Sequence, residues 1–321
     1  MRIAVVGTGR MGAFRADQVR ARGHEAVVVS RDPSRGRPLE AVLAEDLDAA
    51  IVSSSTDQHP AHIVACAERG LPILAEKPIA MSLRETRDTL DRVDAAGGRL
   101  QVSFQRRFDP GFAAARRAVE SGSIGTLYTI RLNSHDHEPS PEHYIPTSGG
   151  IFRDLLVHDF DVARWLTGTE VAEVYPAASV RKWERFAQHG DSDTAAVLLT
   201  MDDGMPVLLS GTRHNPHGYD FRAELFGSAD SLAVGLNERT PIRSLDADGS
   251  VPHDPWRGFL DRFGAGFAAE FEAWLQFVAG ERENACPGEE AYHALRVAVA
   301  CDQAVRARTP VRVEEVAVDA D

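Results

Sequence analysis

Cysteine is scarce in this 321-residue chain: three residues, Cys66, Cys286 and Cys301, far apart and odd in number. That count offers no disulfide framework and no thiolate metal site, and it suits a reducing compartment. Long apolar runs are missing. No stretch approaches the roughly twenty apolar residues that span a bilayer, and the N-terminus, MRIAVVGTGRMG, lacks the basic-then-apolar layout of a signal peptide. Positive charge is in deficit, with 35 Lys and Arg against 48 Asp and Glu and a formal net charge of −13. Nucleic acids and anionic membranes need positive charge on their partners, so neither is expected. Internal repeats and low-complexity runs are also lacking. What remains is 43% hydrophobic residues in a chain long enough for a sizeable core, expected to form two domains and to be soluble and cytoplasmic.

The opening residues carry a dinucleotide signature. Residues 2–6, RIAVV, run into Gly7-Thr8-Gly9-Arg10-Met11-Gly12 and then AFRADQVRARG, which reads as strand, turn and helix. In such a turn Gly7 permits the tight bend, Gly9 lets backbone approach a pyrophosphate, and Gly12 lets helix and strand pack closely. The helix start adds unpaired N–H groups. The second strand, Glu25–Val29, ends in Ser30-Arg31-Asp32 and not directly in an acidic residue. Ser30 and Arg31 suit a 2′-phosphate, which favours NADP, while Asp32 keeps NAD open. Only 16 residues, Pro33 to Asp48, precede the next apolar strand. A helix, a third strand and a second crossover helix need roughly thirty, so the spacing predicts a nucleotide domain trimmed at that edge strand.

Ser53, Ser54 and Ser55 then fall at a strand's carboxyl end, the rim where ligands bind in open parallel sheets. His59 and His62 are three apart with no third ligand near, and they read as solvated or capping residues. Strand Leu71–Ala75 ends in Glu76-Lys77-Pro78, whose lysine either faces a nicotinamide or forms a surface charge pair. Ser82 and Glu85 open the helix Leu83–Ala96 as a capping box, and strand Leu100–Phe104 closes the nucleotide sheet.

The stretch 148–168, SGGIFRDLLVHDFDVARWLTG, is the centre of the second half. At about 100° per residue, Asp154, His158 and Asp161 fall within roughly 60° of arc, so two carboxylates and an imidazole share one helical face. Leu155, Val162 and Leu166, then Leu156, Phe160 and Ala163, make two apolar stripes, which predict burial on several sides. Polar groups there need partners: a hydroxylated substrate is one kind, a structural His–Asp pair another. Elsewhere Gly111–Gly122 predicts a helix and Leu127–Ser134 a strand. Val171–Arg181, Thr194–Met201, Pro206–Arg213, Phe221–Gly227 and Ser231–Leu236 read as strands with short turns, Phe263–Ala279 and Glu289–Arg306 as helices, and Val311–Val318 as a last strand. The expected fold is α/β: an N-terminal Rossmann domain, 1–107, trimmed at the third strand, and a C-terminal α+β domain, 108–321, with a large, mostly antiparallel open sheet. An uncovered apolar sheet face is costly, so a homo-oligomer, dimer or tetramer, is expected.

With these motifs the chain resembles, over nearly its whole length, the Gfo/Idh/MocA family (glucose-fructose oxidoreductase, inositol dehydrogenase, rhizopine catabolism). Phe104-Gln-Arg-Arg-Phe-Asp-Pro-Gly-Phe and GGIFRDLLVHDFDVARWL are similar to its inositol 2-dehydrogenase branch. The resemblance implies hydride transfer between NAD(P) and a secondary alcohol or ketone of a cyclitol or sugar. It implies Lys77, Asp154 and His158 as the catalytic set, Arg106, Asp136, Asp161 and Tyr219 as further substrate contacts, and His59, Glu76 and Gln105 as cofactor contacts beside the glycine turn and the serines. His158 would take the hydroxyl proton, Asp154 orient it, and Lys77 stabilise charge on the oxygen. Another sugar or an aminocyclitol precursor stays open as substrate, as does a dinucleotide-binding regulator without turnover. Metal-dependent hydrolysis through His135, Asp136 and His137 has the ligand types without rigid spacing, and no metal is expected.

Overall fold

The computed structural model describes residues 1–246, 250 and 252–319, which divide into two compact units. The first holds Met1–Phe104 together with Ala268–His293. Its strands are short runs of Val, Ile, Ala and Leu: β1 (Arg2–Val6), β2 (Glu25–Val29), β3 (Ala49–Val52), β4 (Ile73–Glu76) and β5 (Leu100–Ser103). All pair in parallel, in the order β2-β1-β3-β4-β5. Helix α1 (Arg10–Ala21) buries Gly12, Arg15, Ala16 and Val19, one stripe at helical spacing. The expected trimming is present: between β2 and β3 lie α2 (Leu39–Leu43) and a single residue, Arg37, bridged in parallel to Val29. Helices α3 (His59–Glu68) and α4 (Leu83–Ala95) follow, and Ser82 Oγ accepts from the Glu85 amide at 3.1 Å as the capping pattern predicts.

The boundary needs a correction, because residues 268–293 pack in the first unit although the sequence assigns them to the second. Phe271, Trp274, Leu275 and Phe277 share one core with Ile3, Val5, Val19, Ile51 and Leu74. A sheet that has lost a crossover helix has an apolar face to cover, and this aromatic stripe covers it.

The second unit holds Gln105–Phe267 and the chain from Ala294 onward; residues 320–321, the end assigned to the second domain, lie outside the described residues. It contains α5 (Pro110–Glu120), β6 (Leu127–His135), α6 (Ile145–Ser148), α7 (Val157–Thr167), β7 (Val171–Ser179), α8 (Glu184–Gln188), β8 (Thr194–Met201), β9 (Pro206–Thr212), β10 (Asp220–Gly227) and β11 (Ser231–Val234). Helices α9 (Phe259–Val278) and α10 (Gly288–Ala307) run into both units, and β12 (Val311–Arg312) ends the sheet. The expected strand Val311–Val318 shrinks to those two residues, because Val313 and Val316 are buried at a spacing of three and the chain coils into a 3-10 turn. The seven strands run β11-β10-β6-β9-β8-β7-β12, antiparallel except for the parallel β6–β9 pair. Strand alternation buries Ile130, Leu132, Val197 and Leu199 on one face and turns Leu198 and Leu208 outward.

Candidate active site

The glycine turn of the first unit fits a dinucleotide. Gly7 has φ +114°, and a Cβ there would lie 2.5 Å from the Ser53 carbonyl oxygen. At Gly12 a Cβ would lie 2.1 Å from the Gly7 oxygen, whereas at Gly9 it would meet nothing within 4 Å. The protein's own packing therefore demands the first and third glycines, and the second borders open space of the kind a pyrophosphate needs. Gly9 caps α1 without a side-chain hydrogen bond, so the helix start can serve an anion, and Arg10 and Met11 form its first turn. Gly7, Thr8, Gly12, Ala13, Val28 and Arg35 line a groove of about 290 Å³ here.

After β2, Ser30 Oγ accepts from the Asp32 amide at 3.1 Å. The Asp32 carboxylate accepts from the Ser34 hydroxyl and amide at 2.7 and 2.9 Å, bonds that hold its pKa below the usual range. Arg31 is exposed, and Arg35, which the sequence reading passed over, donates to the Thr8 carbonyl in the glycine turn. Its one signal in the sequence is a second arginine in the loop after Arg31. Beyond β3, Ser53 is buried, Ser54 Oγ lies 2.9 Å from His62 Nδ1, and Ser55 is exposed.

Two residues expected at the cofactor have partners within the protein. His59 is not solvated: it is buried, with Nδ1 2.8 Å from the Pro78 carbonyl oxygen and Nε2 3.0 Å from that of Ser54. Burial lowers its pKa, and a neutral imidazole carries one N–H, so the ring lies between the two loops and donates to one of these two carbonyls. Glu76 gives its carboxylate to Arg15 at 2.7 Å. Lys77 follows half-buried at the end of β4.

In the second unit the helix begins at Gly150 and passes through a π-helical turn, Phe152–Leu156, before α7. Bonding from i to i+5 breaks the constant 100° step on which the sequence reading relied. Asp154 lies in the π turn and His158 in the first turn of α7, both half-buried. Leu156 approaches β9 at Gly211, where a Cβ would come within 2.8 Å of its side chain. Asp154 Oδ1 accepts from the Tyr144 hydroxyl at 3.0 Å and Oδ2 from Arg213 at 2.7 Å. Arg213 is buried and also lies 3.9 Å from Asp136 and 3.8 Å from Asp191. Burial opposes its charge, but the three carboxylates outweigh that and raise its pKa. Asp191, its pKa raised by burial, accepts from the Ile151 amide at 2.8 Å and so fixes the helix start. Tyr144 and Arg213 were missed in the sequence, because nothing in their spacing ties them to Asp154.

Asp161 and Arg106 are corrected as substrate contacts. Asp161 is 0% exposed and accepts from Arg107 Nη2 at 2.6 Å and Nε at 3.0 Å. Arg106 donates to Asp159 at 2.8 Å and to Ser134 at 3.2 Å, with its guanidinium over the Phe221 ring. Carboxylates on a helix buried nearly all round must be paired, and the adjacent arginines of the 104–112 motif supply both partners. Tyr219 is buried and stacked on Phe221, its ring centroid 3.9 Å away, and burial pushes its phenol well above the usual range. Gln105 is buried in the 3-10 turn Gln105–Phe108 of the second unit. His135 Nε2 lies 2.9 Å from Ser210 Oγ and His137 Nδ1 3.2 Å from the Asn215 carbonyl oxygen, so the two histidines turn to different partners. Among the described residues no group of three or more His, Cys, Asp or Glu is placed to hold a metal ion, and no helix is long and apolar enough to cross a membrane.

Comparison with known proteins gives two family matches: an oxidoreductase family with an NAD-binding Rossmann fold over residues 1–104, and a GFO/IDH/MocA C-terminal domain over residues 112–233. The myo-inositol dehydrogenase Hyg17 of Streptomyces leeuwenhoekii is 36% identical over 94% of this chain and 97% of its own. The scyllo-inositol 2-dehydrogenase (NAD(+)) of Bacillus subtilis is 30% identical over 98% of this chain and 96% of its own. Among solved structures, a myo-inositol dehydrogenase of Corynebacterium glutamicum superposes with a TM-score of 0.86 at 30% identity, covering 97% of this chain and 98% of that one.

Proposed function

The chain belongs to the Gfo/Idh/MocA oxidoreductase family, and from that membership we propose that it transfers a hydride between a nicotinamide coenzyme and a secondary hydroxyl or ketone of an inositol-like cyclitol. The observation that carries the reading is Asp154, held by Tyr144 and Arg213 within one helical turn of His158. The reading assigns Lys77, Asp154 and His158 to one reaction. The coenzyme, bound on the glycine turn, supplies the hydride acceptor or donor. His158, whose Nδ1 is buried, takes the substrate's hydroxyl proton on Nε2 as the hydride leaves the same carbon, so the carbonyl forms without a free alkoxide. Asp154 cannot swing away from its two donors and acts as a fixed charge that orients the imidazole. The Lys77 ammonium stabilises negative charge on the reacting oxygen, and the Asp136 carboxylate accepts further hydroxyls.

The same reading prefers NADP to NAD, although the Bacillus subtilis relative is named for NAD(+). Asp32 spends its carboxylate on Ser34, while Ser30, Arg31 and Arg35 stand in the loop where a 2′-phosphate would lie. The wild type should show at least about tenfold higher kcat/KM with NADP, and Arg31→Ala should remove most of that margin. Equal or reversed preference overturns it. The reading also makes the protein a cytoplasmic homo-oligomer, supported by Leu198 and Leu208, paired across β8 and β9 and 40% and 45% exposed. The deciding experiment follows the nicotinamide absorbance with a panel of inositol isomers and aldoses, using NAD and NADP separately. Turnover of a cyclitol supports the reading; dinucleotide binding with no turnover on any member points to a regulator instead.

A further inference from the structure

A buried ion cluster lies behind the catalytic lysine, wholly within the first unit. Arg15, on α1, donates from Nε to Glu76 at 2.7 Å and from Nη2 to both Glu270 and Ser103 Oγ at 2.7 Å, while Nη1 reaches Gln18 at 3.0 Å. Ser103 Oγ donates in turn to Glu270 at 3.0 Å. Arg15 and Glu270 are fully buried, and Glu270 Oε1 has no hydrogen-bond partner among the described residues. One guanidinium thus serves two carboxylates in a buried site, an arrangement poor for stability alone. Glu76 is joined by its peptide to Lys77 and registered against Ser103 on β5.

We propose that Arg15 and Glu270 are positioning residues for Lys77: they hold Glu76 from beneath, and uptake or loss of one proton at the Glu270 carboxyl changes how firmly Arg15 grips it. The proposal rests on the assignment of Lys77 to catalysis. With Glu270 protonated, Arg15 gives its charge to Glu76 and the Lys77 backbone is fixed. With Glu270 ionised, the guanidinium is shared, a net negative charge remains buried, and the grip loosens. The groups facing Glu270 are Arg15 from α1, Glu76 from β4 and Ser103 from β5. Burial is the largest influence on Glu270 and pushes its pKa up to about 7 against the pull of Arg15, so the change falls in the physiological range.

The test compares the wild type with Glu270→Gln, which cannot ionise, from pH 6 to 8.5. The kcat ratio, variant over wild type, should rise about threefold or more with a midpoint near 7, while KM for the dinucleotide does not follow it. Ser103→Ala removes a donor to the ionised carboxylate and should move the wild-type midpoint upward. It also serves if Glu270→Gln does not fold. A readout independent of turnover comes from the lysines, since Lys77 and Lys182 are the only two in the chain. The acylation rate of Lys77, referenced to Lys182 by mass spectrometry, should change with pH more in the wild type than in Glu270→Gln. A flat kcat ratio, or identical pH dependence of Lys77 labelling in both proteins, overturns the relay. Lack of turnover with every polyol, while the Lys77 labelling still responds to Glu270, overturns the assignment of Lys77 to catalysis and leaves the relay standing.

Discussion

The proposed mechanism gives a carboxylate, an imidazole and an ammonium different tasks. Asp154 is clamped by two donors, which suits it to the constant charge that the proposed mechanism assigns to it, while the proposal gives the substrate's proton to His158. Replacing His158 or Lys77 by alanine should lower kcat about 10²- to 10⁴-fold while the dinucleotide Kd, measured by fluorescence titration, moves less than about threefold. A wild-type rate in either variant removes that residue from the mechanism. Glu270 gives a pH signature in stability as well. Its folded pKa, about 7, lies above the reference value of 4.5, so its contribution is full below about 4.5 and is lost as pH rises through about 7. Across that window the wild type should lose roughly 3 kcal/mol relative to Glu270→Gln, measured by denaturant unfolding at pH 5 and pH 8. The site was only partly legible at this scale. His158, Asp154 and Lys77 stood out as residue types near their motifs, but Asp161 and Arg106 looked equally suited and proved to be buried pairs, a difference decided by neighbours 54 and 53 positions away.

Among the elements, the glycine turn separates two demands that look alike in the sequence. Gly12→Ala would drive a Cβ into the Gly7 backbone and should destabilise the first unit, lowering Tm by several degrees. Gly9→Ala meets no protein atom and should leave Tm nearly unchanged while weakening dinucleotide binding about tenfold or more, measured by calorimetry. If both variants lose stability alike, the open space at Gly9 has been misread. The helix that carries Asp154 and His158 shows why a constant helical step misleads. A π turn at 152–156 shifts the phase between Asp154 and α7, and it is accommodated where Gly211 lets Leu156 come close to β9. No local pattern announces such a turn, since it depends on what the helix packs against.

For the whole molecule, exposed leucines on the outer face of the seven-stranded sheet test the proposed homo-oligomer. Leu198 and Leu208 face each other across β8 and β9, with Tyr175 beside Leu198 on β7. Leu198→Asp with Leu208→Asp should lower the solution mass measured by light scattering without unfolding the chain, because both side chains point away from the core. An unchanged mass in a folded variant overturns this face as a subunit interface. What the sequence determined by itself was what periodicity and turn chemistry encode locally: the parallel nucleotide sheet, its trimmed third strand, the glycine turn, the capped α4 and the antiparallel neighbours β7–β8–β9 and β10–β11, but not the insertion of β6 between β9 and β10. Tertiary structure alone decided which unit residues 268–293 join, that His59 and Asp161 are buried, that Arg213 and Tyr144 hold Asp154, and that Arg15 joins Glu76 to Glu270. The physical reason is range. A strand or a cap is set by neighbours a few residues off, whereas a buried charge is tolerated only where a partner arrives from far along the chain, and only the packed fold reveals which one arrives.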